Sequence, residues 1–158
     1  MIKGKSDHSV FYRRMKAGIT LLVVYVNDIV ITRSGNVGIL ALKNFLHSQN
    51  QTKDLGSLKY FLGIEVTRSK KYIFLSQRKY VLDLLTTTGK LGAKPSNTPM
   101  IPNVQLTHEG IPFEDPERYR RLVGKLNYLA VTRPDIAYSV SVVSQYMSSP
   151  TVDHWKVV

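Results

Sequence analysis

Ile19-Thr20-Leu21-Leu22-Val23-Val24-Tyr25-Val26-Asn27-Asp28-Ile29-Val30-Ile31 is the stretch on which the reading of this chain turns. Ile19 to Val26 is an apolar-dominated, β-branched run bounded by Gly18 and Asn27. Its length and Val/Ile content predict a strand buried on both faces. Ile29 to Thr32 reads as the returning strand. Asn27-Asp28 between them predicts a tight hairpin turn, since both side chains tolerate left-handed backbone angles. The tip then carries a carboxylate, Asp28. Taken alone, the pair needs no explanation beyond ordinary turn chemistry.

Before the hairpin, residues 9–14 predict a short strand. Beyond it, Arg33-Ser34-Gly35-Asn36 ends the pair, and residues 37–47 predict a helix with Ile39, Leu42, Phe45 and Leu46 on one face. Lys43 and His47 fall nearer water, and Ser34 or Asn36 is the candidate cap. His47 has no second His, Asp or Glu at ligand spacing on that helix. Tyr60 to Val66 has strand composition interrupted by Gly63, the mark of a bulge or of close approach by another backbone or a ligand. Arg68-Ser69-Lys70-Lys71 is a polar turn and Tyr72 to Leu75 a returning strand, so a second hairpin has a basic tip. Ser76 is expected to cap a helix over 77–88 with Tyr80, Val81, Leu84 and Leu85 on its apolar side, stopped by Gly89.

Between Lys90 and Pro116 lie Pro95, Pro99, Pro102, Pro112 and Pro116, and periodicity fades, predicting a long connection. His108 and Glu109 read there as surface residues. Asp115-Pro116-Glu117 is a strong helix start. Tyr119, Leu122, Val123, Leu126, Leu129 and Ala130 follow at helical spacing, while Arg118, Arg121 and Lys125 line another face. Thr132-Arg133-Pro134-Asp135 breaks this helix, and Ile136 to about Met147 forms the next. His154 and Trp155 sit in a tail without a capping pattern.

The length of 158 residues fits one domain or two small subdomains, and 43% hydrophobic content suffices for a core. No apolar run is long enough for a membrane helix. Met1 to His8 lacks the apolar core of a signal peptide, so an intracellular location, cytoplasm or nucleus, is expected. Cysteine is absent, which excludes disulfides, thiolate metal sites and a cysteine nucleophile. Lys plus Arg is 22 against 11 for Asp plus Glu, a net charge of +11. That balance points to a polyanion, nucleic acid first. No Gly-rich phosphate loop, His-Glu-x-x-His or Gly-x-Ser-x-Gly occurs.

In order and spacing, several strings together resemble the reverse transcriptase of copia-type long-terminal-repeat retrotransposons. They are Leu22-Val23-Val24-Tyr25-Val26-Asn27-Asp28-Ile29, Lys53-Asp54-Leu55-Gly56, Tyr60-Phe61-Leu62-Gly63-Ile64-Glu65-Val66, and Leu75-Ser76-Gln77-Arg78-Lys79-Tyr80. Tyr119-Arg120-Arg121-Leu122-Val123-Gly124-Lys125-Leu126-Asn127-Tyr128-Leu129 and Thr132-Arg133-Pro134-Asp135-Ile136-Ala137 complete the set. The resemblance implies an α+β fold: the later part of a polymerase palm, with antiparallel hairpins and a helix, then a helical thumb or connection region. By the same resemblance, residues 1–88 are partial palm with a primer-grip-like hairpin and the first thumb helix. Residues 89–116 are a Pro-rich connection, and 117–158 a thumb segment truncated at its C-terminus. The hairpin around Tyr25, Asn27 and Asp28 resembles the family's Tyr-x-Asp-Asp box, with Asp28 a metal ligand. Phe61, Leu62 and Gly63 resemble the primer grip. The face of Arg118, Arg121 and Lys125 is either a phosphate contact for template–primer or a solvated helix face.

Two departures qualify the implied activity. The family holds Mg²⁺ with aspartates, and here Asn27 stands in the first box position; its amide offers an oxygen but no charge. The family's other catalytic aspartate lies on an upstream palm strand outside these residues, and Asp7 is too near the box to replace it. The expectation is therefore a fragment of a retrotransposon polymerase without catalytic activity and without productive Mg²⁺ binding, or a partial record of a longer polyprotein. The rival is a non-catalytic basic nucleic-acid-binding module using the last two helices as a helix-turn-helix. Its recognition helix, 136–147, would contain no Arg or Lys, which argues against base reading.

Overall fold

The computed structural model describes residues 1–16, 18–34 and 38–158. They fall into two compact units, Met1–Phe61 and Leu62–Val158. The first is built on an antiparallel sheet of β1 (Ile2–Lys3), β2 (Val10–Met15), β3 (Gly18–Tyr25) and β4 (Asp28–Arg33), in that spatial order. In register, Leu22 stands between Phe11 and Ile31, making one apolar row across three strands. Gly18, at φ 123°, allows close approach at the far end of β3, where an added Cβ would sit 2.9 Å from the Cβ of Ser34. The hydroxyl of Ser34 accepts from the Ile19 N–H at 3.3 Å.

Two expectations for β3 are corrected here. It is not buried on both faces. Thr20 and Leu22 are buried, and the intervening residues are half-exposed, because the sheet has one well-covered side rather than two. The turn also lies one residue earlier than predicted. Tyr25 pairs with Asp28, so Val26-Asn27 form the two-residue loop and Asp28 opens β4.

Helix α1 (Ile39–Gln49) begins after Gly38, which takes φ 103° and provides no side-chain cap. Ser34 does not cap it, and Asn36 lies outside the described residues. Ile39, Leu42 and Leu46 are half-buried as expected, but Phe45 is exposed along with Leu40. Lys43 is instead drawn to Asp54 at 2.8 Å, and Nδ1 of His47 lies 3.0 Å from the Thr52 carbonyl oxygen. Both contacts fold the following segment back on the helix. The unit closes with β5 (Tyr60–Phe61).

In the second unit Leu62 and Gly63 take φ 51° and 79°. Gly63 is thus a turn residue rather than a bulge within a strand. Strands β6 (Ile64–Arg68) and β7 (Ile73–Ser76) pair antiparallel, Arg68 opposite Ile73. Helix α2 (Arg78–Thr87) follows, with Leu84 buried, Tyr80, Val81 and Leu85 half-buried, and Gly89 at φ 69° just past its end. Ser76 does not cap it, being the last residue of β7. The N-cap is Gln77, whose side chain turns inward. Its Oε1 accepts from the Thr132 hydroxyl at 2.7 Å.

Residues 90–115 hold no helix or long strand among the described residues. Helix α3 (Pro116–Leu129) starts as predicted, with the Asp115 carboxylate accepting from the Arg118 N–H at 2.8 Å. A 3₁₀ turn at Pro134–Ile136 leads into α4 (Ala137–Ser144), shorter than the expected 136–147. Tyr119 and Val123 of α3 pack on Val143 and Tyr146 to form the core. The Tyr119 hydroxyl donates to the Val143 carbonyl at 2.8 Å. Burial, reinforced by Tyr146, pushes its pKa up to about 12.

The predicted uncapped tail is a capped helix, α5 (Val152–Val157). Thr151 Oγ1 accepts from the His154 N–H, and His154 Nδ1 accepts from the Thr151 N–H at 2.9 Å, a reciprocal capping box with histidine in the usual glutamate position. His154 is 1% exposed, stacks on Tyr146 at 3.8 Å, and places Nε2 3.0 Å from the Thr107 carbonyl. Nδ1 accepts and Nε2 donates, so the ring sits neutral, and desolvation lowers its pKa. No helix among the described residues is long and apolar enough to cross a membrane.

Candidate catalytic hairpin and nucleic-acid surface

The β3–β4 hairpin places Tyr25, Val26, Asn27 and Asp28 together at an exposed tip. Val26 takes φ 50°, and no positive φ occurs at Asn27. A reversal with positive φ only at its first loop position favours glycine there. Here a β-branched residue occupies it, a conformation that costs on the order of 1–3 kcal/mol. The ladder on either side imposes it, Val24 being paired with Ile29 and Tyr25 with Asp28. The result projects the Asp28 carboxylate from the first residue of a strand, with the Asn27 amide beside it at the apex.

The ion that the resemblance implies for this tip is Mg²⁺. Such an ion takes oxygen ligands in octahedral geometry, commonly one or two carboxylates with water and substrate phosphate. Among the described residues no three His, Asp or Glu side chains gather. At the tip only Asp28 brings charge. These residues do not by themselves make a set that fits the ion.

The other sequence-predicted residues are placed less uniformly. Leu62 and Gly63 form a turn, and the Leu62 carbonyl accepts from the Tyr128 hydroxyl of α3. Phe61 belongs to the first unit and is half-buried. Arg118, Arg121 and Lys125 lie on α3 but are not equivalent. The Arg118 guanidinium stacks over the Trp155 ring at 5.0 Å. Arg121 stays largely exposed, 4.0 Å from the Asp115 carboxylate. Lys125 is half-buried, and its carbonyl accepts from the Tyr80 hydroxyl at 3.2 Å. Helix α4, at eight residues and without Lys or Arg, leaves the helix-turn-helix alternative without a reading helix.

Residues 3–102 match the model of the family described as reverse transcriptase (RNA-dependent DNA polymerase). The chain belongs to the reverse transcriptase family. Its relatives include the retrovirus-related Pol polyproteins from two Arabidopsis thaliana transposons, RE2 and RE1. Each is 45% identical over 97% of this chain, covering 11% and 10% of the polyproteins. The polyprotein from transposon TNT 1-94 of Nicotiana tabacum is 33% identical over 99% of this chain and 13% of its own length. The chain thus spans about a tenth of the Pol polyproteins it matches. It is also 40% identical, over 83% of its length, to an uncharacterized mitochondrial protein of Arabidopsis thaliana, 55% of which is covered. These matches place the chain among copia-type retrotransposon reverse transcriptases. No solved structure matches it.

Two residues that shape these surfaces escaped the sequence reading. Val26 shows no sign of its left-handed angle in the string, because valine is the residue least expected there. The Thr151-x-x-His154 spacing was the available signal for α5, obscured by a histidine in a role that glutamate or glutamine usually fills.

Proposed function

We propose that residues 1–158 form the box-bearing end of a polymerase palm and the helical region after it, within a retrotransposon reverse transcriptase that extends a primer on a nucleic-acid template. On this reading the β3–β4 tip is the catalytic hairpin, with Asp28 its metal ligand. Phe61, Leu62 and Gly63 hold the primer, and Arg121 and Lys125, with Arg118, meet phosphates. The whole would work inside the cell. The observation that carries the reading is the hairpin register, in which Tyr25 opposite Asp28 fixes one carboxylate at the apex of a rigid two-strand ladder. With further carboxylates supplied from outside these residues, Asp28 would be one of the groups holding Mg²⁺, and the chemistry supplied there would be charge stabilisation at a phosphate. What this chain contributes is a carboxylate at a fixed position and an overall basic charge of +11.

The same geometry supports a second part of the proposal: the polypeptide 1–158 does not itself extend primers. Asn27 removes one charge from the tip, and among the described residues no cluster of three or more His, Asp or Glu side chains forms around Asp28. Primer extension with four proteins tests both parts: the 158-residue chain and a chimera supplying the upstream palm and fingers of a relative such as the RE2 polyprotein, each with Asn27 and with Asn27→Asp. Both short forms are expected at background. In the chimera, Asn27→Asp should raise the rate by orders of magnitude. Extension by the short Asn27 chain, or a chimera equally active with either residue, would refute the account of the tip.

A further inference from the structure

We propose that the tip of the β6–β7 hairpin, Arg68 to Phe74, is a contact for single-stranded nucleic acid: unpaired bases stack on Tyr72 and Phe74 while Arg68, Lys70 and Lys71 hold the phosphates. The proposal rests on the nucleic-acid reading above and adds to it a surface and a preferred form of the partner.

The turn is fixed by its own hydrogen bonds. Ser69 Oγ accepts from the backbone N–H of Lys71 at 3.2 Å and of Tyr72 at 3.0 Å, and the Ser69 N–H donates to the Tyr72 carbonyl at 2.9 Å. Three cations therefore leave a rigid loop. Ion pairs among the described residues engage Lys43, Lys79, Arg120, Arg121, Arg133 and Lys156, and none engages Arg68, Lys70 or Lys71. Beside these free cations, Tyr72 is 65% and Phe74 59% exposed. Phe74 lies opposite Thr67, and Tyr72 stands two residues before it, in the turn just ahead of β7, so both exposed rings lie at this end of the hairpin. At about 3.3 Å of rise per residue they are roughly 6–7 Å apart, room for a base against each.

Charge decides the class of partner. An apolar protein face would cover the rings but strand three unpaired cations at the contact, a costly desolvation. A polyanion with exposed π-faces satisfies both kinds of group. Duplex nucleic acid offers phosphates but hides the faces of its bases, whereas a single strand offers both. The other cation-rich strand end, Arg13 and Arg14 of β2, lacks this combination. Its neighbours Phe11 and Tyr12 are half-buried and pair with Leu22 and Leu21.

The test is anisotropy titration of a labelled oligo-thymidylate and of a labelled short duplex with the 158-residue chain and its variants. Tyr72→Ala combined with Phe74→Ala should weaken single-strand binding by roughly tenfold or more, as expected for lost base–aromatic stacking. Duplex affinity should stay within about twofold of the parent, and Phe74→Trp should retain single-strand binding. Lys70→Ala with Lys71→Ala should weaken both forms and flatten the single-strand log–log salt slope by about 1.4. Circular dichroism establishes that each variant is folded, and Phe74→Leu, which keeps an apolar side chain without a ring, separates stacking from packing. Single-strand affinity indifferent to the two aromatic residues, or equal losses on duplex, overturns the proposal alone. A parent that binds neither form overturns the nucleic-acid reading with it.

Discussion

Leu22 and Tyr119 each stand at the centre of an apolar row, yet their surroundings differ. In the Met1–Phe61 unit, Thr20 and Leu22 are the buried residues among those described, while Leu40, Phe45 and Leu55 face water. In the Leu62–Val158 unit, Tyr119 and Val123 are sealed at 0% exposure, and the buried polar groups Thr151 and His154 bond each other. The first unit is held mainly by a backbone ladder, the second by side chains that fit one another. A ladder tolerates side-chain change wherever the pleat and turn survive, whereas a packed core registers each lost atom.

Truncation should break this contrast most severely. Tyr119→Ala removes a sealed ring and the bond to the Val143 carbonyl, and should destabilise the second unit by about 3–5 kcal/mol. Leu22→Ala should cost the first unit nearer 2 kcal/mol, since its neighbours are already half-wet. Hydrogen exchange resolved by segment would separate the two effects, and equal losses would erase the distinction drawn here.

Acid should sharpen it next. The unfolded histidine titrates near 6.5, and burial lowers the value for His154 in the fold. Below 6.5 the unfolded chain therefore binds a proton that the native ring resists, and stability falls as pH drops through that window. The slope is at most about 1.4 kcal/mol per pH unit. Urea midpoints between neutral pH and pH 5 should decline for the second unit, and the decline should shrink in His154→Gln. A slope unchanged by that substitution would assign the acid sensitivity elsewhere.

The smallest effect concerns the turn. Val26→Gly relieves a positive φ on a β-branched side chain at the expense of unfolded-state entropy, for a net gain of about 0.5–1 kcal/mol. Protection of the β3–β4 amides should rise correspondingly. A loss of protection would mean that the valine side chain is itself holding the ladder.

Much of this arrangement was legible beforehand. Apolar β-branched runs bounded by turn residues gave β3, β4 and the β6–β7 hairpin, helical periodicity gave α2 and α3, and Asp115-Pro116-Glu117 located the α3 start to the residue. The local string could not fix the turn register, because Val26-Asn27 and Asn27-Asp28 differ only in which cross-strand pair closes the loop. Ladder pairing settled it against local preference. Burial was overestimated for β3 and for Phe45 because a run of apolar residues records what a segment could cover, not what lies against it. Gln77 and His154 were missed for the opposite reason: polar side chains become interior only when a distant partner, Thr132 or Thr107, comes to meet them.

Asn27 sits on the exposed apex of its hairpin, between a strained valine and the aspartate that begins β4. Amide and carboxylate are nearly the same shape there, so folding is blind to the exchange. The codons for asparagine and aspartate differ by a single purine transition at the first base. Copies of such an element that differ at this base would accumulate as equally well-folded chains, carrying their difference only in the charge at the hairpin apex.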